Sequence, residues 1–365
     1  MRLKSLDVFR GMTIAGMILV NTPGSWSHVY SPLLHADWHG CSPTDLVFPF
    51  FLFIAGVSSW FSFSKFDHQF SKAAASKILK RAAIIFFIGL LLNWFPFYHK
   101  NIADLRIMGV LQRIGLAYGF GVLACLYFKN AKQLIGFGIF VLLAYWAMLW
   151  LGSADPYSLE HSLVRKIDLF ILGDSHVWHG KGIAFDPEGL LSTLPAIGTV
   201  IIGYLVGGLI QSAENYKIAV QKMIIAGFAL TAIGWIWGLV FPINKSLWTS
   251  SYVLYTGGIA MILLAIFLWI IDVKKKQKWA FPFVVFGSNS IFVFVLSGLW
   301  VKTYFRIKHL GSDGEIKNAY HYIYSEWFEP AFGAMNGSLF FAIAHITVFW
   351  LILLWMYKRK IFIKV

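Results

Sequence analysis

Apolar residues gather along the chain into ten continuous runs, at about residues 7–21, 45–64, 80–96, 107–127, 133–151, 189–210, 222–241, 247–271, 280–300 and 337–357. A helix that crosses the hydrocarbon layer needs about 20 mostly apolar residues. Most runs reach that length without the strict alternation of a half-buried strand, so they read as helices. The first run is short and interrupted by Asp7 and Arg10, which predicts a helix enclosed by others. No fixed-period repeat and no two-half symmetry divides the chain. The predicted fold is all-α: a polytopic membrane helix bundle of about ten transmembrane helices, forming one domain over residues 1–365.

Ten crossings put both chain ends on one side. Lysine and arginine are about twice as frequent in the segments of that side, from Arg2, Lys4 and Arg10 through Lys72–Arg81 and Lys274–Lys278 to Lys358 and Lys364. The other side holds fewer, among them Lys100, Arg106, Lys181 and Lys245. The positive-inside rule then predicts cytoplasmic termini, a location in the cytoplasmic (inner) membrane, and outward loops at 22–44, 152–188 and 301–336.

Composition agrees with this reading. Hydrophobic residues make up 58% and charged residues 13% of the chain, against about 45–50% and about 25% in a soluble domain. The net charge of +14 would suggest nucleic acid on a soluble chain. Here the cations lie between apolar runs, where anionic lipid accounts for them, and nucleic acid is discarded. Arg2 and Lys4 ahead of an apolar run resemble a signal peptide, but Asp7 and Arg10 break it, so it reads as a retained first span. Cys41 in a loop and Cys125 in an apolar run predict no disulfide.

Ionisable and amide groups inside the runs are costly to bury and are functional candidates: Asp7, Arg10, Asp45 and Arg113, with Asn21, Asn93 and Asn289. The stretch "LLHADWHGCSPTDLVFPFFLFIAG" (33–56) sets His35, His39 and Asp45 at the mouth of the second run. His35 and His39 share a face only if helical. Gly40 and Pro43 argue for a loop, and a zinc site needs a third ligand, so no metal is expected. Asp45 is either a first-turn cap or a functional group, and Arg113 lies at a similar depth, close enough for an ion pair. Arg10 either snorkels to lipid phosphate or grips a phosphate in a bidentate fork. Asp186 with Pro187 reads as a helix start, with Glu188 beside it. Lys245 and Trp248 begin the eighth run, and Asn289 falls mid-run as helix glue or as a contact. "GYLVGG" (203–208) permits close helix packing within one bundle or across a homodimer.

The ordered motifs "LDVFRG", "MILVN", "HADWHG", "TDLVFPFFLFIAG", "GVLQRIGLAY", "FDPEGLLSTLPAIG", "FPINKSLWTSSYVL" and "GSNSIFVFV" resemble the membrane region of the heparan-α-glucosaminide N-acetyltransferase family. That family falls in the transmembrane acyltransferase superfamily. The resemblance implies a compact bacterial form without the luminal domain of the animal enzyme. It implies acetyl transfer from cytoplasmic acetyl-CoA to a glucosamine amine on the far side. His35 matches the active-site histidine and Asn21 its partner, with Asp45 as a third catalytic candidate. Arg10, Arg113, Lys245, Trp248 and Asn289 are assigned to the donor, and Glu188 and His39 to the acceptor. Position 39 is His where the animal enzyme has Asn. An imidazole suits the base role, and the Asn21 amide can donate to the oxyanion. Direct attack and an acetyl-histidine intermediate both remain open. The competing classes are an amino-sugar permease, an envelope-polysaccharide O-acyltransferase and an accessory subunit.

Overall fold

A computed structural model of the chain describes residues 3–98, 101–312 and 314–363. Arg2, Lys100 and Lys364, which enter the charge balance above, lie outside the described residues. Each of the ten apolar runs lies largely on helix. The elements are α1 (Lys4–Asn21), α2 (Val47–Phe63), α3 (Lys72–Trp94), α4 (Val110–Tyr127), α5 (Ala131–Gly152), a short α6 (Leu163–Leu172), α7 (Thr193–Ser212), α8 (Tyr216–Trp237) and α9 (Ser250–Phe267). They continue with α10 (Phe281–Ser288), α11 (Ser290–Tyr304), the short α12 (Ala319–Ile323) and α13 (Glu329–Phe332), and α14 (Ala334–Lys358). Among the described residues, seven helical segments are long and apolar enough to span a membrane, and α10 with α11 makes an eighth bent by 71°. α1 and α3 differ from these in carrying three charges along the apolar stretch, Lys4, Asp7 and Arg10 on α1 and Lys77, Lys80 and Arg81 on α3.

The bent segment departs from the sequence reading, which expects one straight run over 280–300. The sequence "GSNS" is a poor helix former, and Asn289 leaves helical geometry at φ −135°. Its side chain turns to the C-terminal tail instead: Nδ2 donates to the Ile361 carbonyl at 3.0 Å and Oδ1 accepts from Ile363 N–H at 2.7 Å. A two-stranded antiparallel hairpin, β1 (Lys308–Leu310) with β2 (Ile316–Asn318), is the small exception to an all-helical chain.

Without a hydrophobic drive between helices inside lipid, close backbone approach carries the packing. A Cβ on Gly11 would lie 1.8 Å from the Phe283 carbonyl oxygen, and one on Gly203 would lie 2.1 Å from that of Phe53. These glycines let α1 meet α10 and α7 meet α2. The "GYLVGG" stripe is thereby used inside the protomer, because Gly207 packs on Trp60 in the same α2–α7 contact.

The cross-links define two ends. At the terminal end, Lys4 Nζ donates to Gln277 at 2.7 Å, Ser5 N–H donates to Asp272 at 3.1 Å, and the tail meets Asn289. At the far end the long loops interlock. Tyr320 donates to the Pro23 carbonyl at 2.7 Å and Trp38 Nε1 to the Tyr157 carbonyl at 2.8 Å.

Candidate active site

The loop from His35 to Asp45 folds around one carboxylate. Ser42 precedes a single turn, Pro43–Leu46, that leads into α2, and forms a capping box with Asp45. Asp45 Oδ2 accepts from Ala36 N–H, Ser42 N–H and Ser42 Oγ, each at 3.0 Å. The hydroxyl of Tyr252, on α9, donates to the Asp45 carbonyl at 2.5 Å. The carboxylate is thus buried, at 2% exposure, and fixed in direction. Its remaining oxygen, Oδ1, meets His35 Nδ1 at 2.7 Å.

A neutral His35 that donates from Nδ1 to Asp45 carries its lone pair on Nε2. The ring is 43% exposed. This is the arrangement of a base oriented by a carboxylate.

A third group joins them. Lys245 Nζ lies 3.0 Å from His35 Nδ1, 3.4 Å from its Nε2 and 3.4 Å from Asp45 Oδ1. Burial pushes the Lys245 ammonium below its ordinary pKa, opposed by Asp45 and Glu188. The Asn244–Thr249 turn holds it. Asn244 Oδ1 accepts from Leu247 N–H at 2.8 Å, Thr249 Oγ1 accepts from Asn244 N–H at 3.0 Å, and Trp248 takes φ +50°. Asn244 Nδ2 also donates to the Trp38 carbonyl at 2.8 Å and faces His39 Nδ1 at 3.3 Å. Burial lowers the His39 pKa against the pull of Asp155. Cys41, beside this loop, has its thiol pushed up to about 12 by burial and by Asp45. It therefore stays protonated near neutral pH.

The expected Asp45–Arg113 pair does not form. Arg113 is fully buried and donates to the Gly189 carbonyl at 3.3 Å and to Ser192 Oγ, with its guanidinium 5.0 Å over the ring of Trp248. Trp248 is itself fully buried, packed on Phe48 and Tyr252, and is neither an interface anchor nor an open contact surface.

Glu188 is engaged as well. Arg106 forks onto Asp186 at 2.8 and 2.7 Å and reaches Glu188 at 2.6 Å. Burial works against the Arg106 charge, but the two carboxylates outweigh it and raise its pKa. The helix start expected at Asp186 moves on to Thr193; Asp186 accepts from Glu188 N–H at 2.9 Å in a turn instead.

Asn21 is exposed at the last turn of α1, and among the described residues no hydrogen bond joins it to His35. Arg10 donates to Ser58 at 2.7 Å and to Asp7 at 3.4 Å near the terminal end. One turn further along α2, Lys77 Nζ lies 3.4 Å from Ser62 Oγ. Arg81 lies over Tyr118 with a buried Nε that has no partner among the described residues. No three metal-ligating side chains converge among the described residues.

Sequence reasoning missed the joining of Lys245 to the His35–Asp45 pair, and missed Arg106 and Asp168 altogether. Asp168, on α6, accepts from Leu190 N–H at 2.9 Å; burial pushes its pKa up to about 7 against that bond and the charge of Arg113. Its signal was present: Val164 and Asp168 are four apart on the buried face of a short helix.

Fold and site define a polytopic membrane protein with a carboxylate-oriented imidazole at one end of its bundle. The chain belongs to the heparan-alpha-glucosaminide N-acetyltransferase catalytic family, whose model matches residues 2–240. That match includes His35, Asp45, Arg106 and Glu188 and ends before Lys245. The chain is 28% identical over 362 residues to heparan-alpha-glucosaminide N-acetyltransferase of Homo sapiens, covering 80% of this chain and 52% of that protein. It is 27% identical over 359 residues to the Mus musculus protein of the same name, covering 80% and 53%. The chain spans about half the length of these curated relatives.

Proposed function

We propose that the protein is an integral-membrane acetyltransferase. It takes acetyl-CoA from the cytoplasm at the terminal end and acetylates the amine of a glucosamine-type sugar at the far end. The observation that carries this reading is the half-exposed His35, oriented by buried Asp45 at the end opposite both chain termini.

The donor's phosphates suit the terminal end. Ser58 and Ser62 are four apart on α2 and line up Arg10 and Lys77 along one face, with Lys65 and Arg81 nearby. Ser58 lies about 20 Å along the chain path from Asp45 at 1.5 Å per residue, a span comparable to an extended pantetheine arm. Arg113, Trp248 and Asn289 are internally bonded or packed, and we assign them to the frame rather than to donor contact.

At the far end, the acceptor enters as an ammonium and gives one proton to His35 Nε2. The neutral amine then attacks the thioester carbonyl. The C–N bond forms, and the C–S bond breaks as the proton held on His35 passes to the departing thiolate. The freed His35 takes the second proton from the attacking nitrogen and releases it to water, which leaves a neutral amide. Asp45 stabilises the imidazolium formed in between. Lys245, within reach of the ring, supplies positive charge near the developing oxyanion.

The test is to incubate purified protein in detergent with labelled acetyl-CoA and a panel of amino sugars, scored by mass spectrometry. Acetylated amine without any membrane gradient is expected. Uptake of unmodified sugar into vesicles, with no acetylated product, would mean a permease.

A further inference from the structure

Along the same loop as His35, the far end opens into a cleft of about 570 Å³ between residues 37–39 and the loop 155–160. Asp37, Asp155 and Glu160 line it against the single cation Lys181. Lys181 is itself tied by a 2.7 Å bond to the Asp37 carbonyl. Trp38 and Tyr157 form aromatic walls that are already braced. Trp38 donates to the Tyr157 carbonyl and packs edge-on to Phe185 at 5.5 Å, while the Tyr157 hydroxyl accepts from Trp146 Nε1 at 2.9 Å. The loop is closed on itself, since Ser153 Oγ donates to the His161 carbonyl at 2.7 Å and Arg165 reaches the Glu160 carbonyl at 3.1 Å. The cavity is therefore preformed, as small-ligand sites usually are.

The cleft shares its wall with the catalytic group. Asn244 Nδ2 binds the Trp38 carbonyl and faces His39, while the next residue, Lys245, touches His35. Because Asn244 Oδ1 is already accepting from Leu247, its amide donates to His39 Nδ1, which leaves the proton of a neutral His39 on Nε2. His39 thus offers an N–H donor suited to a sugar hydroxyl.

We propose that this cleft is the site where the acceptor is captured and that it selects by charge: a cationic amino sugar free of sulfate or carboxylate groups, stacked between Trp38 and Tyr157, its ammonium drawn first by Asp155 and Glu160 and then passed across the shared Asn244–Lys245 wall to His35. Glu188, held by Arg106, is not the ammonium partner. Three carboxylates against one lysine repel a polyanionic chain such as the heparan named in the relatives. The proposal rests on the acetyltransferase reading only for what happens after capture.

Calorimetric titration of the detergent-purified protein with glucosamine, N-acetylglucosamine and glucosamine 6-sulfate tests it. Glucosamine is expected to bind at least about tenfold more tightly than either of the others, less so at high salt. In Asp155→Asn/Glu160→Gln, glucosamine binding should weaken by about tenfold or more, with the thermal melt of the protein unchanged. Absence of glucosamine binding, equal affinity for the three sugars, or wild-type affinity in the double variant overturns the assignment. Acetyl transfer assayed on the same samples separates the two claims. Charge-selective binding without any turnover leaves the cleft standing and sinks the transferase. Turnover with an unaltered acceptor KM in the double variant does the reverse.

Discussion

Two clusters of charge lie at the far end of the bundle, and they are built on opposite principles. In the Arg106–Asp186–Glu188 cluster, with Arg113 and Asp168 beside it, the ion-pair partners are within 2.6–2.8 Å of one another and Asp186 is fully buried. Its ion pairs are closed on one another, and the atoms beside it that lack hydrogen-bond partners among the described residues, Arg113 Nε and Nη1 and Asp168 Oδ2, are buried out of solvent. In the His35–Asp45–Lys245 cluster only the carboxylate is saturated, while the imidazole stays 43% exposed with one nitrogen uncommitted to Asp45. A buried, self-satisfied network braces a fold. A network with one accessible valence can move a proton. The motif positions alone do not separate Glu188 from His35, whereas their partners do.

Four substitutions test that contrast, from the largest and sharpest expected effect to the most gradual. His35→Ala should lower acetyl transfer by about 10²–10⁴-fold with the thermal melt intact, since general acid–base catalysis supplies about that much. A purified variant keeping more than about a tenth of the wild-type rate would remove His35 from the base role. Arg106→Ala should do the opposite, costing about 3–5 kcal/mol of stability by stranding the buried carboxylate of Asp186 beside the partly buried one of Glu188. Surviving folded protein should retain donor affinity. A large fall in kcat at an unchanged melting temperature would make the braced cluster catalytic after all.

Lys245→Met should lower kcat about tenfold, a loss of about 1.4 kcal/mol, with acetyl-CoA KM held. A raised donor KM at constant kcat would return Lys245 to donor binding, the role expected from its motif.

The last effect is gradual, spread over pH, and belongs to Asp168. Its folded pKa of about 7 stands above the ordinary carboxylate value, so the native state keeps a proton that the unfolded chain gives up. The stability from this group is full below about pH 4 and is lost as pH rises to about 7, by at most about 1.4 kcal/mol per pH unit. Asp168→Asn should flatten melting temperature against pH across that window. An unchanged slope would show that this carboxyl is ionised throughout.

Much of the architecture is legible in the chain. Each apolar run became helix because hydropathy and period act over neighbouring residues. The departures came where side chains found remote partners: Asn289 left the helix for the tail at Ile361 and Ile363, and α7 began later than Asp186 because that carboxylate went to Arg106. The site was half visible. His35, Asp45 and Lys245 all sit in quoted motifs, but no local pattern joins residue 245 to residue 35.

By itself, then, the sequence determined the helical runs, the division of loops and termini between two ends, and which few polar groups had to be accounted for within an apolar bundle. Those properties follow from the cost of exposing backbone and charge to lipid, which is paid residue by residue. Only the tertiary structure decided that Asp45 serves His35 rather than Arg113, that Arg106 neutralises Glu188, and that Lys245 completes the exposed cluster. Such pairings depend on which helix faces meet, and the glycine contacts that bring α1 to α10 and α2 to α7 settle that geometry at positions far from the groups they align.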